Sequence, residues 1–173
     1  AQVLAMASSY SFIKANLFGV RRGRAFRQRV LGGLSLCSVR PGELEELERF
    51  LDSFAVAGKT TIARRLVWSG GGRFLTLLLR GEEHQIVGAN LFYFRPEETE
   101  PTLVHESFLG IISDYRGRGL ARALRQTAIH GFAQWPELTG ITTEVGVGFE
   151  ASRKLAIELG YQPRHPSGDP KHS

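Results

Sequence analysis

The stretch that most limits what this chain can fold into is Leu109 to Ala121, LGIISDYRGRGLA. It reads as a short apolar run, a polar turn, and an Arg- and Gly-rich segment that opens a helical pattern. Arg116, Gly119 and Ala121 stand in the order R-x-x-G-x-A. A strand–loop–helix junction of this kind brings backbone N–H groups together on an anion such as a diphosphate. Glycines at 117 and 119 let the backbone approach, and the helix start adds partial positive charge. The plain alternative is an ordinary glycine-rich turn between a strand and a helix. The surrounding pattern decides against it, because the segment follows an apolar strand and precedes an amphipathic helix, a further strand and a helix ending in Leu-Gly-Tyr.

Upstream of that junction, Leu31 to Val39 reads as a first strand. The helix after it has Pro41 for its first turn, Glu43, Glu45 and Glu46 where the dipole favours negative charge, and Leu44, Leu47, Leu51 and Phe54 on one face. Thr60 to Trp68 is a second helical stretch, with Ser69-Gly70-Gly71-Gly72 expected to stop it. Phe74–Leu79 and Ile86–Phe94, separated by Gly81-Glu82-Glu83-His84, predict an antiparallel hairpin. Leu103–Ile112 is a fourth strand, and the helix beyond the loop carries Leu124, Ala128 and Phe132. Ile141, Thr143, Val145 and Val147 alternate as a fifth strand. The last helix, 150–159, is expected to bury Leu155 and Leu159 and to stop at Gly160. The order predicts a mixed, mostly antiparallel α/β domain with helices on its faces.

Charge is distributed unevenly. The chain carries +5 overall, yet residues 1–40 hold Lys14, Arg21, Arg22, Arg24, Arg27, Arg29 and Arg40 without one acid, which leaves the remainder net acidic. Ala1 to Ala5 read as foreign residues ahead of a native start at MASSYSF. Ser8 or Ser9 would cap a short helix with Ile13, Leu17 and Val20, followed by the run RRGRAFRQR. This basic arm is either a solvated or packed extension, or a contact for RNA, an anionic membrane or a targeting receptor through Arg21–Arg29. A single cysteine, Cys37, in apolar surroundings reads as a small buried hydrophobe. Together with histidines lacking metal-ligand spacing, it predicts a reducing compartment and no metal. A cytoplasmic location is expected, with organelle targeting by the N-terminal segment as the other reading. No apolar run approaches the roughly 20 residues of a membrane span. Gly58-Lys59-Thr60 is not a nucleotide-binding loop, because its first glycine would fall at Ser53 and a helix precedes it.

On these residues the chain resembles the GCN5-related N-acetyltransferase (GNAT) superfamily. VRPGELEELERFL is similar to that family's first strand and helix, LGIISDYRGRGLARAL to its acyl-CoA signature, and the segment ending in KLAIELGY to its terminal helix and following strand. The resemblance implies acyl transfer, usually of acetyl, from coenzyme A to an amine. The family's diphosphate site maps onto Arg116, Gly117, Arg118, Gly119, Leu120, Ala121 and Arg122. Its pantetheine strand maps onto Leu109, Gly110, Ile111 and Ile112. Acetyl-CoA or another acyl-CoA is then the co-substrate.

The chemistry asks for more than a binding loop. An ammonium must lose a proton before it attacks a thioester, and the oxyanion that forms needs preset donors. By the resemblance His105 falls where several relatives carry a glutamate base, and Glu106 is its neighbour. Adjacent strand residues face opposite sides, so only one of the two can face the substrate. An imidazole, with a reference pKa near ~6.5, is a competent base; a carboxylate would act directly or through water. The chain departs from the family at Ala156, where many members carry a tyrosine acid, at Phe149, where an asparagine is frequent, and after Tyr161, where a hairpin is common. These departures keep open a non-catalytic acyl-CoA-binding relative tethered by its basic arm, and an acceptor side that is open, completed by a second subunit, or walled by residues of the N-terminal extension. The resulting organisation is an extension over 1–30, the acyltransferase domain over 31–164 and a polar tail over 165–173. The acceptor is a small amine, a peptide or protein amine, or an aminoacyl-tRNA.

Overall fold

The computed structural model describes residues 2–54, 61–97, 102–146 and 148–163, with side chains from Ser9 onward. Contacts divide the chain into a larger unit ending at Thr143 and a smaller one beginning at Glu144. The Gly58-Lys59-Thr60 segment lies outside the described residues.

The larger unit is one six-stranded sheet in the order β1-β2-β3-β4-β5-β6, where only β5 and β6 are parallel. The single strand expected over Leu31–Val39 is instead a hairpin: β1 is Arg29–Leu31 and β2 is Leu34–Cys37, with Leu31 opposite Leu34. Gly32, at φ +60°, and Gly33 form the two-residue turn, a hairpin signal that the apolar run around it obscures. β3 is Thr76–Arg80 and β4 is Ile86–Tyr93, antiparallel as their flanks predict. β5 is Leu103–Ile111, and β6 is Gly140–Thr143, shorter than the alternation through Val147 implies.

Helix α1 spans Gln2–Gly19, so Ser8 and Ser9 lie inside it and neither caps it. Its last turns and the segment behind them belong to the core. Asn16 is fully buried, donating to the carbonyl of Phe94 at 3.1 Å and accepting from its N–H at 2.7 Å. The side chain thereby stands in for a neighbouring strand at the end of β4. Phe26 sits edge-on against Phe132, and the Trp135 indole N–H donates to the carbonyl of Arg24.

Helix α2 spans Leu44–Asp52 with Glu43 at its N-cap, so Pro41 belongs to the preceding turn. The Glu43 carboxylate accepts from the Arg40 N–H at 2.7 Å and pairs with the buried Arg80 at 2.5 Å. Arg80 also donates to the sulfur of Cys37, which is buried as expected of a small hydrophobe. Helix α3 spans Ile62–Leu75 and runs through the glycines expected to stop it; Phe74 and Leu75 are therefore helical. A Cβ on Gly72 would lie 2.5 Å from Val39 Cγ1, and one on Gly70 would lie 3.0 Å from Leu17 Cδ2. Close packing with α1 and with the end of β2 outweighs the low helix propensity of glycine.

In the smaller unit, α5 spans Glu150–Glu158. The Tyr161 N–H donates to the Ala156 carbonyl and the Gly160 N–H to that of Ile157, with Gly160 at φ +95°. This paired closure satisfies the last carbonyls of the helix, as the Leu-Gly-Tyr ending predicts. Leu155 and Leu159 are half-buried, and Ala156 is the buried position of the helix.

Candidate active site

β5 carries the site. Against β4 its register passes from Tyr93–His105 and Phe92–Glu106 to Leu91–Phe108, so Ser107 is an extra residue and the strand bulges there. The Ser107 hydroxyl donates to the carbonyl of Leu91 at 3.2 Å. The bulge resets the alternation of side chains. Glu106 shares a face with Phe92, whose ring packs on Phe132 of α4 (Leu120–Phe132). Phe108 goes with Leu91 to the other face, where it meets Phe50 and Phe54.

The two candidate bases, which precede the bulge, lie on opposite faces by ordinary alternation. Glu106 lies under α4 in a buried ion pair with Arg125, their side chains 3% and 1% exposed. Arg125 donates Nη2 to one carboxylate oxygen at 2.6 Å and Nε to the other at 3.1 Å, and the Thr143 hydroxyl donates to the first at 2.9 Å. A carboxylate held by a two-pronged guanidinium and a hydroxyl is an anchor of helix to strand, and both its oxygens are engaged. His105 is also buried, on the opposite face, with its ring centroid 5.6 Å from that of Tyr93 and its Nδ1 against the hydroxyl of Thr142. Thr142 and Thr143 reach these positions because β6 pairs with β5 in parallel register, His105 opposite Thr142 and Glu106 opposite Thr143.

That ladder stops at Glu106–Thr143. Residues 107–111 of β5 thus have β4 on one side and, among the described residues, no strand on the other. Of the four strand positions named from the sequence, Leu109, Gly110 and Ile111 lie at this open edge, while Ile112 falls just past the end of the strand. Gly110 faces the aromatic layer: a Cβ there would lie 2.5 Å from Phe108 Cζ.

The strand continues into the loop through the Ile112 N–H, which donates to the carbonyl of Val87. Ser113–Tyr115 make one 3-10 turn. Gly117 and Gly119 follow at φ +75° and +71°, and a Cβ on either would meet nothing within 4 Å. Glycine is needed here for the left-handed torsion, and the space beside it is open. Gly119 is the N-cap of α4, and the first helical bond runs from the Ala123 N–H to its carbonyl. The N–H groups of Leu120 and Ala121 precede that bond, so the helix start presents donors at an exposed loop. Leu120 itself is buried, anchoring the helix to the core. Arg116 is braced by its Nε on the carbonyl of Ile111 at 3.0 Å. Arg118 bonds the carbonyl of Asp114 and lies over the Tyr115 ring. Arg122 is exposed on the first turn. This cradle of three arginines, open glycines and helix donors fits a diphosphate.

Sequence reasoning did not single out Arg125, Thr142, Thr143 or Tyr93. Arg125 adjoins the apolar stripe of α4, where a long cation ordinarily snorkels to solvent. The two threonines acquire meaning only from the β5–β6 register. Among the described residues no cluster of side chains is arranged to hold a metal ion.

The family model for the acetyltransferase (GNAT) family matches residues 43–161. The chain belongs to this family. No curated protein sequence matches it. Among solved structures it is similar to Arabidopsis thaliana Naa50 in complex with the bisubstrate analogue CoA-Ac-MVNAL, with 20% identity, TM-score 0.62, and 77% of this chain and 85% of that one covered. An aminoglycoside acetyltransferase from an uncultured soil metagenomic sample gives 18% identity, TM-score 0.61, and coverage of 81% and 99%. A ribosomal-protein-alanine N-acetyltransferase from Brucella melitensis gives 17%, 0.58, and coverage of 80% and 99%. These likenesses establish the GNAT fold.

Proposed function

We propose that this GNAT-family chain transfers an acyl group, acetyl in the first instance, from coenzyme A to an amine. The observation that carries the reading is the junction of β5 and α4. There an open strand edge leads into two left-handed glycines and a helix start ringed by Arg116, Arg118 and Arg122. In this reading the loop holds the diphosphate, the 107–111 edge receives the pantetheine arm, and the thioester supplies the activated acyl group. The Naa50 structure, bound to an analogue that joins CoA to a peptide, supports an amine on a peptide or protein as the first class to screen. A cytoplasmic site of action accompanies this reading.

His105 is the proposed base. Glu106 is held by Arg125 and Thr143, and its removal would strip a buried cation of its partner. The role requires the His105 Nδ1–H to donate to the Thr142 hydroxyl, which leaves the lone pair on Nε2. His105→Ala is expected to lower kcat/KM about a hundredfold, within the range of general-base removal, with acyl-CoA affinity kept. Glu106→Gln is expected to act mainly on stability, costing about 3 kcal/mol for a broken buried pair, with turnover per folded molecule retained. The reverse ranking in steady-state assays would move the base to Glu106. Thr142→Val is expected to lower kcat and change the pH profile of kcat/KM while leaving acyl-CoA binding intact; an unchanged profile would remove Thr142 from the mechanism.

Ala156 favours a second reading, a non-catalytic acyl-CoA-binding module, because it offers no proton donor where many relatives have a tyrosine. Acyl-CoA binding by calorimetry, combined with no amine-dependent thiol release across a broad acceptor panel, would select that reading over the enzyme.

A further inference from the structure

Helix α1 and the turn after it present a solvent face unlike the rest of the surface. Tyr10, Lys14, Leu17, Phe18 and Arg21 are all exposed, and their spacing of four, seven, eight and eleven from Tyr10 puts them on one side of a helix. Tyr10 is 68% and Phe18 54% exposed, and the Arg21 guanidinium lies over the Phe18 ring. The apolar row continues onto the neighbouring helix. α1 packs along α3, where Leu17 abuts Gly70. Ile62 and Leu66, eight and four residues before Gly70 on the same row, are 79% and 52% exposed. Large apolar side chains exposed side by side and rimmed by polar groups are the mark of an interaction face.

We infer that this face docks the protein on an anionic phospholipid surface. Two observations select that occupant. Lys14 and Arg21 in the row, and the exposed Arg24 and Arg27 that follow them in the chain, come from a segment with no acid, while the remainder of the chain is net acidic. An anionic surface therefore attracts this segment more strongly than the net-acidic remainder, which favours docking through it. The exposed groups are a tyrosine and a phenylalanine together with aliphatic Leu17, Leu66 and Ile62. Aromatic rings and arginines also serve nucleic acids, where bases stack on rings, but three of the five apolar side chains here, Leu17, Leu66 and Ile62, are aliphatic and offer no stacking platform. The acyl region just below lipid headgroups covers them. No described helix is long and apolar enough to cross a membrane, and the proposed contact is one of lying on the surface.

The test uses the purified full chain with sedimented vesicles of phosphatidylcholine, with and without phosphatidylglycerol. Binding is expected only with phosphatidylglycerol and should fall as salt is raised. Arg21→Glu combined with Arg24→Glu is expected to weaken partitioning at least tenfold, since each basic residue at such a surface is worth about fivefold. Phe18→Ser leaves the charge unchanged and is expected to weaken it severalfold, which separates apolar insertion from simple ion attraction. Unchanged melting temperatures keep these variants interpretable, and Arg153→Gln on α5 serves as the charge control. The proposal is overturned by equal partitioning with and without phosphatidylglycerol, or by Phe18→Ser binding as wild type. It is also overturned by tighter binding to single-stranded RNA than to vesicles, or by a concentration-dependent dimer in light scattering that Phe18→Ser abolishes.

Discussion

Two glycine clusters in this chain look alike in sequence and do opposite things. Gly70-Gly71-Gly72 lie inside α3 with ordinary helical torsions, and what matters at them is distance: hypothetical Cβ atoms would meet Leu17, Val20 and Val39 at 3.0, 3.5 and 2.5 Å. Gly117 and Gly119 have no atom within 4 Å of a hypothetical Cβ, and what matters at them is the left-handed torsion, φ +75° and +71°. The first cluster brings elements together inside the fold. The second holds open a backbone that faces outward. A run of glycines therefore signals closeness in one place and torsion in another, and the neighbours decide which.

That contrast can be broken by substitution. Gly72→Leu carries the largest expected effect on stability, about 3 kcal/mol lost in urea unfolding, because Val39 is a buried, β-branched neighbour that cannot swing aside. The folded fraction should still bind acyl-CoA; a stability change below about 1 kcal/mol would mean that the α3 glycines are not packing residues. Gly119→Trp is expected to cost less stability, about 1–2 kcal/mol for a left-handed torsion on a bulky residue. It should nonetheless abolish acyl-CoA binding in calorimetry, and retained affinity would place the co-substrate elsewhere. Gly71→Ala is the smallest and has the opposite sign. Its Cβ would sit at an ordinary 3.5 Å from Val20, so helix propensity should raise stability by about 0.5–1 kcal/mol. A loss there would show that the whole run is overpacked.

What could be read along the chain was whatever repeats at short range. The β3–β4 hairpin follows from two apolar runs with a polar turn, and the α5 stop from Gly160. The 109–121 junction follows from an apolar strand joined to R-x-x-G-x-A. In each case the determining contacts lie within a few residues of one another. The elements read wrongly were those settled by distant partners. The α3 glycines are helical because α1 and Val39 lean on them, and Gly32-Gly33 form a turn because β1 and β2 pair.

The site divides along the same line. The sequence by itself determined the strand–loop–helix junction, the glycines at 117 and 119 and the adjacency of His105 and Glu106, because torsion and order are properties of neighbouring residues. Only the tertiary structure decided how that pair is used. The Ser107 bulge, the α4 packing and the parallel β6 register brought Arg125 and Thr143 to Glu106, and Thr142 and Tyr93 to His105. Those partners come from other strands and from a helix up to 37 residues away, and no local pattern along β5 encodes them.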